Sequence, residues 1–325
     1  MSGKTLIPSL DFLTPKFCLS LKKLNNMASF QWKGVFPALL TPFDANDQVD
    51  LAVYERNLDA QVEAGIHGII IAGSLGEAST LSLDEKELLV RFSVKKLAGK
   101  LPVIMNIAEG STKEAIQQAI LAKEWGADGI MLLPPMRYKA DDREVVEFFK
   151  AVAANTDLPI MIYNNPVDYK IDVTLDMFQE LSFIPHINAI KESTRDVTNI
   201  TRLKNRFGDR FAVLCGVDPL TVEELALGAD GLVAGLVDAF PKETVVMYNL
   251  VKEGKLEEAI KIYRWFMPLL ELDIHPKLVQ YIKLAAAQTG IGSEHVRAPR
   301  LPLVGEERER ILKVINDGIA TRPIL

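Results

Sequence analysis

Cysteine is nearly absent from this sequence: two residues, Cys18 and Cys215, in a chain of 325. So few argue against a disulfide framework and for a reducing, cytoplasmic setting. Long hydrophobic runs are missing as well. The longest, such as Gly68 to Gly73, are strand-sized, far short of the ~20 apolar residues that cross a bilayer, so no membrane partner is expected. Basic blocks are lacking too. The net charge is -6 and the pI about 5.4, and the aromatics are not interleaved with Lys or Arg, which speaks against nucleic acid as a partner. An acidic balance leaves room for an anionic substrate, since a few local donors suffice to bind a carboxylate. The four histidines, His67, His186, His275 and His295, show no ligand spacing, so no metal site is expected. No glycine fingerprint for a dinucleotide is present, and no other cofactor motif.

What is present is the composition of an ordinary globular protein, 48% hydrophobic and 25% charged. Eight apolar runs alternate with helical patterns: Val35–Leu40, Gly68–Ala72, Val103–Asn106, Gly129–Leu133, Ile160–Tyr163, Ile187–Lys191, Phe211–Cys215 and Gly231–Ala234. Continuous apolar strands separated by helices indicate a parallel sheet covered on both faces. Eight units fit a closed (β/α)8 TIM barrel better than an open doubly wound sheet. A weak repeat supports this. Gly65-Ile66-His67-Gly68, Gly126-Ala127-Asp128-Gly129 and Gly228-Ala229-Asp230-Gly231 each lead into a strand, with glycine at the helix end where φ turns positive. The expected organisation is a disordered extension over 1–26, the barrel over 27–240, and additional C-terminal helices over 241–325 packed on the barrel.

Side chains at the C-terminal ends of barrel strands face the active site. The polar residues there are Thr41, Ser74, Glu77, Asn106, Tyr163, Lys191, Glu192 and Asp218. Lys191 ends an otherwise apolar strand. Burial there lowers an ammonium's pKa, and a neutral amine is what attack on a carbonyl requires. The competing reading is an ion pair to Glu192 or another rim carboxylate. Tyr163 ends the neighbouring strand, about 5 Å away, where a phenol can shuttle protons; its competing reading is an amphipathic cap on the core. The turn Gly73-Ser74-Leu75-Gly76-Glu77 leaves backbone N–H groups open at a strand end, a cradle for a carboxylate.

Three motifs in order, Gly73-Ser74-Leu75-Gly76-Glu77, Tyr163-Asn164-Asn165-Pro166 and Ala189-Ile190-Lys191-Glu192, resemble those of the dihydrodipicolinate synthase / N-acetylneuraminate lyase family, over about 32–324. The resemblance implies a TIM barrel, a homotetramer or homodimer, with no cofactor beyond a covalent lysine Schiff base. It implies Lys191 as nucleophile and Tyr163 as proton relay. It places Ser74 and Leu75 on the carboxylate of a 2-oxo acid, and Gly216 and Val233 along the substrate floor.

The departures from that pattern narrow the chemistry. Synthases of the family carry two adjacent threonines where Ser74 and Leu75 stand, and an Arg for a distal carboxylate where Asp168 stands. They carry a second Tyr where Met136 or Arg137 falls, with Tyr138 next to them. An anion at 168 repels a dicarboxylate partner. The expected activity is therefore a Schiff-base lyase acting on a small 2-oxo acid or cyclic imine, by aldol cleavage, dehydration or deamination. The specific expectation is deamination of 1-pyrroline-4-hydroxy-2-carboxylate, with Asp168 or Glu109 meeting a hydroxyl or amine of the substrate. The alternatives are a 4-hydroxy-tetrahydrodipicolinate synthase condensing pyruvate with aspartate semialdehyde, and a catalytically silent barrel with a binding role.

Overall fold

The computed structural model describes residues 30–325; the extension expected over 1–26 lies outside the described residues. Residues 32–325 form one compact unit. Eight parallel strands alternate with helices: β1 Gly34–Pro37, β2 Ile69–Ile71, β3 Val103–Ile107, β4 Gly129–Leu132, β5 Ile160–Asn164, β6 Ile187–Glu192, β7 Ala212–Cys215 and β8 Gly231–Ala234. From β2 to β8 each pairs with the next in sequence, and β1 pairs with β8. The remaining seam is closed by Leu39 N–H donating to Ile70 O (2.9 Å) and His67 N–H to Val35 O (2.9 Å). The eight runs read from sequence are the eight strands of a nearly closed barrel.

The helices begin where short polar side chains cap them. Asp50 precedes α1 (Leu51–Ala64) and Ser82 opens α2 (Leu83–Leu97) with a capping box to Glu85. Ser111 caps α3 (Thr112–Trp125), and Asp141 with Glu144 does so for α4 (Asp142–Ala153). Each cap satisfies N–H groups that the helix itself leaves open. Gly65, Gly126 and Gly228 have φ of 86°, 95° and 105°, the left-handed turns expected of the repeat. Two short helices escaped the periodicity, α5 (Pro166–Tyr169) and α8 (Thr221–Ala226). They flank α6 (Leu175–Leu181) and α7 (Thr198–Phe207) and are too short to show an amphipathic period.

Helix α9 (Pro241–Lys252) packs on α1 and β1 and fills the eighth helix position of the barrel. The boundary expected at 240 thus falls inside the eighth βα unit. Beyond it stand α10 (Leu256–Leu270), α11 (Leu278–Gln288) and α12 (Gly305–Ala320), which pack on one another.

Strand alternation sets what faces the axis. Ile162 and Ile190 pack between the sheet and its surrounding helices, with Val145, Phe149, Phe178 and Ile200. Their neighbours Tyr163 and Lys191 therefore point inward, because successive strand side chains alternate faces. No helix among the described residues is long and apolar enough to cross a membrane.

Candidate active site

At the C-terminal end of the barrel a cavity is lined by Ser74, Leu75, Tyr163, Asp168, Lys191, Gly216 and Val233. These are all seven residues the sequence singled out as catalytic or substrate-binding. Asn165, Tyr169, Arg195, Gly235 and Asp273 line it as well.

Tyr163 and Lys191 are register partners on β5 and β6, and Lys191 Nζ lies 4.0 Å from the centre of the Tyr163 ring. Among the described residues, nothing hydrogen-bonds or ion-pairs with this Nζ. The ion pair to Glu192 does not form. Glu192 points out of the barrel and accepts from Thr194 N–H (2.7 Å) and Asn199 Nδ2 (2.8 Å). Burial lowers the pKa of Lys191, against the pull of Asp273, Tyr169 and Asp218. Gly216 makes this position tenable. A Cβ there would come within 2.7 Å of Lys191 Cε and 2.1 Å of Ser193 Oγ, so the lysine stem runs against bare backbone.

The Tyr163 hydroxyl accepts from Asn165 Nδ2 (3.1 Å), and the same nitrogen donates to Asp168 Oδ2 (2.7 Å). Asp168 is thus an anchor for Asn165 on the cavity rim, and it faces Arg195 at 3.9 Å. Burial pushes the Tyr163 pKa up to about 12, which keeps its proton available for transfer. Tyr169, from the unforeseen α5, sets its ring edge-on to Tyr163 at 5.7 Å. Its hydroxyl hydrogen-bonds Ser74 Oγ, and burial holds it protonated. A second tyrosine thus stands beside Tyr163 from the segment after β5, not from the stretch after β4. Tyr138 instead lies exposed, while Met136 and Arg137 line a neighbouring cavity with Lys86 and Glu109. Glu109 pairs with Lys86 at 3.2 Å and does not line the Lys191 cavity.

The Gly73–Glu77 turn is held from below. Thr41 Oγ1 donates to Gly76 O (2.7 Å) and Asn106 Nδ2 to Ala72 O (2.9 Å). A Cβ on Gly76 would meet Leu39 O at 2.8 Å. Ala72 and Glu77 both take left-handed φ, 57° and 56°, a strained backbone for non-glycine residues. Glu77 stabilises it: fully buried, it accepts from Lys283 Nζ at 2.5 Å, and its other oxygen accepts from Arg297 N–H at 3.2 Å. Among the described residues, neither Ser74 N–H nor Leu75 N–H donates to a protein acceptor, which leaves both free for a ligand anion.

Asp218 takes another role. Its carboxylate accepts from Leu236 N–H (2.7 Å) and Gly235 N–H (3.1 Å), so it ties the loop after β7 to the loop after β8. Burial raises its pKa to about 6. Sequence reasoning missed Asn165, Tyr169 and Arg195 because they lie in loops and a one-turn helix. It missed Asp273 because that residue arrives from the C-terminal addition. The polar run after Tyr163 was the available signal for Asn165 and Tyr169.

Comparison with known proteins agrees with this geometry. Residues 31–317 match the model of the dihydrodipicolinate synthetase family. The 4-hydroxy-tetrahydrodipicolinate synthase of Methanospirillum hungatei is 31% identical over 288 residues, covering 88% of this chain and 99% of that protein. That of Exiguobacterium sibiricum is 34% identical over 276 residues, covering 84% and 92%. The solved 4-hydroxy-tetrahydrodipicolinate synthase of Methylacidiphilum fumariolicum superposes with a TM-score of 0.85 at 30% identity, covering 89% of this chain and 97% of that one. An eight-stranded barrel with an inward lysine and tyrosine, matched over most of its length, places this chain in the dihydrodipicolinate synthetase family of Schiff-base lyases.

Proposed function

We propose that Lys191 adds to C2 of a small 2-oxo acid, or of a cyclic imine of one, while Tyr163 relays protons with Tyr169 and Ser74 behind it. The carboxylate rests on the Ser74 and Leu75 N–H groups; Gly216 and Val233 form the floor. The observation that carries this reading is the free Lys191 Nζ, facing a cavity that the turn carrying the Ser74 and Leu75 N–H groups also lines. Addition of the neutral amine to a carbonyl gives a carbinolamine. The Tyr163 proton then leaves with the hydroxyl as water, and the iminium remains as an electron sink.

The same wall selects against a second carboxylate. Asp168 lines the cavity, so the end of the substrate beside it is better neutral or cationic than anionic. 1-Pyrroline-4-hydroxy-2-carboxylate meets this requirement. Attack at its C2 opens the ring and frees an amine at C5. Loss of the C4 hydroxyl as water and hydrolysis at C5 then release ammonia and 2-oxoglutarate semialdehyde. The reaction needs no cofactor beyond the lysine adduct. We place the enzyme in the cytoplasm as a homotetramer or homodimer.

A second reading, condensation of pyruvate with aspartate semialdehyde, is favoured by the names of the curated relatives and by Arg195, a cation on the cavity rim. The two separate in a direct assay of purified protein. Ammonia release from 1-pyrroline-4-hydroxy-2-carboxylate is expected to exceed the condensation by roughly 100-fold or more in kcat/KM, the scale set by placing like charges together. Efficient condensation without ammonia release would install the second reading. A silent barrel would give neither product and no lysine adduct.

A further inference from the structure

Asp273 stands outside the steps described so far. It lies on the single 3-10 turn Glu271–Ile274 between α10 and α11, yet its side chain forms part of the cavity wall with Lys191. A Cβ on Gly235 would come within 2.3 Å of Asp273 Oδ1, so glycine at 235 is what admits the carboxyl. The groups facing it are Lys191, Asp218 with its backbone N–H, Asp168, Tyr163 and Asp238. Among the described residues, no side chain hydrogen-bonds or ion-pairs with it. Lys191 has its task in the cavity and Asp218 ties two loops together, whereas this carboxyl is partly open to the cavity and is met only by the Asp218 backbone N–H.

Such a group is expensive to keep unless it has work to do. Burial and the adjacent Asp218 hold it protonated, against the weaker pull of Lys191. A neutral carboxylic acid can both donate a hydrogen bond and give up a proton.

We infer that Asp273 is the acid that protonates an oxygen leaving from the substrate carbon two bonds beyond the imine carbon. The inference rests on Lys191 forming the imine. In the step, Tyr163, which gave up its proton in forming the imine, takes a proton from C3, and the electron pair left there forms the C2–C3 enamine. That pair then moves to C3–C4, the C4–O bond breaks, and the oxygen departs as water with the Asp273 proton. The resulting carboxylate takes a proton from C5 as the unsaturated imine tautomerises, which restores the acid. The substrate class this selects is a 2-oxo acid, or its cyclic imine, with a hydroxyl at C4.

The test compares wild type with Asp273→Asn, which keeps the shape and removes the acid. Borohydride capture of pyruvate at Lys191 is expected to stay within about threefold. The kcat for ammonia release from 1-pyrroline-4-hydroxy-2-carboxylate is expected to fall by 10²–10⁴-fold, the usual contribution of a general acid, with KM little changed. Should the wild type release no ammonia, the substrate reading fails, and Asp273 is tested by capture alone. In that case wild type is expected to capture 4-hydroxy-2-oxobutanoate at least tenfold better than 2-oxoglutarate, and the variant to lose the preference. A variant that keeps full kcat, or keeps that preference, overturns the inference. So does one whose pyruvate capture falls in step with its turnover, since Asp273 would then only position Lys191.

Discussion

Lys283 and Lys191 are both buried at the catalytic end of this molecule, and they differ in almost everything but burial. Lys283 is fully enclosed. Its ammonium donates to Glu77 at 2.5 Å and to His295 O at 2.7 Å, and it stands 4.5 Å from the centre of the Phe43 ring. Lys191 is nearly as buried, but its Nζ meets only the Tyr163 ring and an open cavity. Burial depresses both pKa values, that of Lys283 to about 8. A lowered pKa therefore does not single out the nucleophile. The free lone pair does, together with the cavity beside it. The saturated lysine holds the strained Gly73–Glu77 turn in place so that the unsaturated one has a carboxylate cradle opposite.

The contrast breaks most sharply on deletion. Lys191→Ala is expected to abolish turnover, by at least ~10⁴-fold, because the covalent step is lost outright, while the thermal midpoint stays near wild type. A variant with full turnover would remove Lys191 from the mechanism. Gly216→Ala is expected to act almost as strongly without touching the lysine itself. Its Cβ would displace the Lys191 stem, and borohydride capture should fall by roughly 10²-fold, the scale of a misplacement of about 1 Å.

Lys283→Ala should show the opposite pattern. Removing one partner of a buried pair leaves Glu77 uncompensated and costs about 3–5 kcal/mol of stability by denaturant titration. The folded fraction should still be captured by pyruvate, more weakly. If Lys283→Ala leaves stability unchanged, the turn does not depend on that pair.

The acid dependence sharpens the same comparison. The Lys191 pKa lies below that of a free lysine, so the neutral, reactive fraction grows as pH rises through that depressed value. The rate of imine formation should climb there and level off above it. A profile that rises only near pH 10, where an ordinary lysine titrates, would contradict the burial argument.

Much of this was readable in the sequence. The eight apolar runs, the glycine turns and the Tyr163 and Lys191 positions follow from strand periodicity and strand-end logic, and the structure brings those residues together. The rest depended on contacts between distant segments. Nothing in the order Glu271-Leu272-Asp273 says that a turn between two tail helices will reach a barrel mouth. Likewise, Asp168 reads as a free anion until Asn165 is seen to hold it. Tyr169 sits in a four-residue helix, too short for a period, and so its pairing with Ser74 was hidden.

A third kind of buried ionisable group has no charged partner and no cavity, only the Cys215 thiol beside it. Glu224 is fully buried behind β7, and neither carboxyl oxygen accepts from an N–H or O–H group among the described residues. Burial raises its pKa from 4.5 to about 8. A raised carboxyl leaves stability intact below the unfolded value and lowers it as pH climbs toward the folded one. Glu224→Gln should thus stabilise the protein more at pH 8 than at pH 4, where the carboxyl is protonated in both states. Equal effects at both values would mean that the carboxyl is charged in the folded protein.

The most direct measurement is reduction of the wild-type protein with borohydride in the presence of pyruvate, followed by peptide mapping. One reduced pyruvate unit on Lys191, with Lys283 unmodified, is the expected result. Absence of any adduct at Lys191, or label on Lys283 instead, would contradict the assignment of the free buried lysine as the nucleophile.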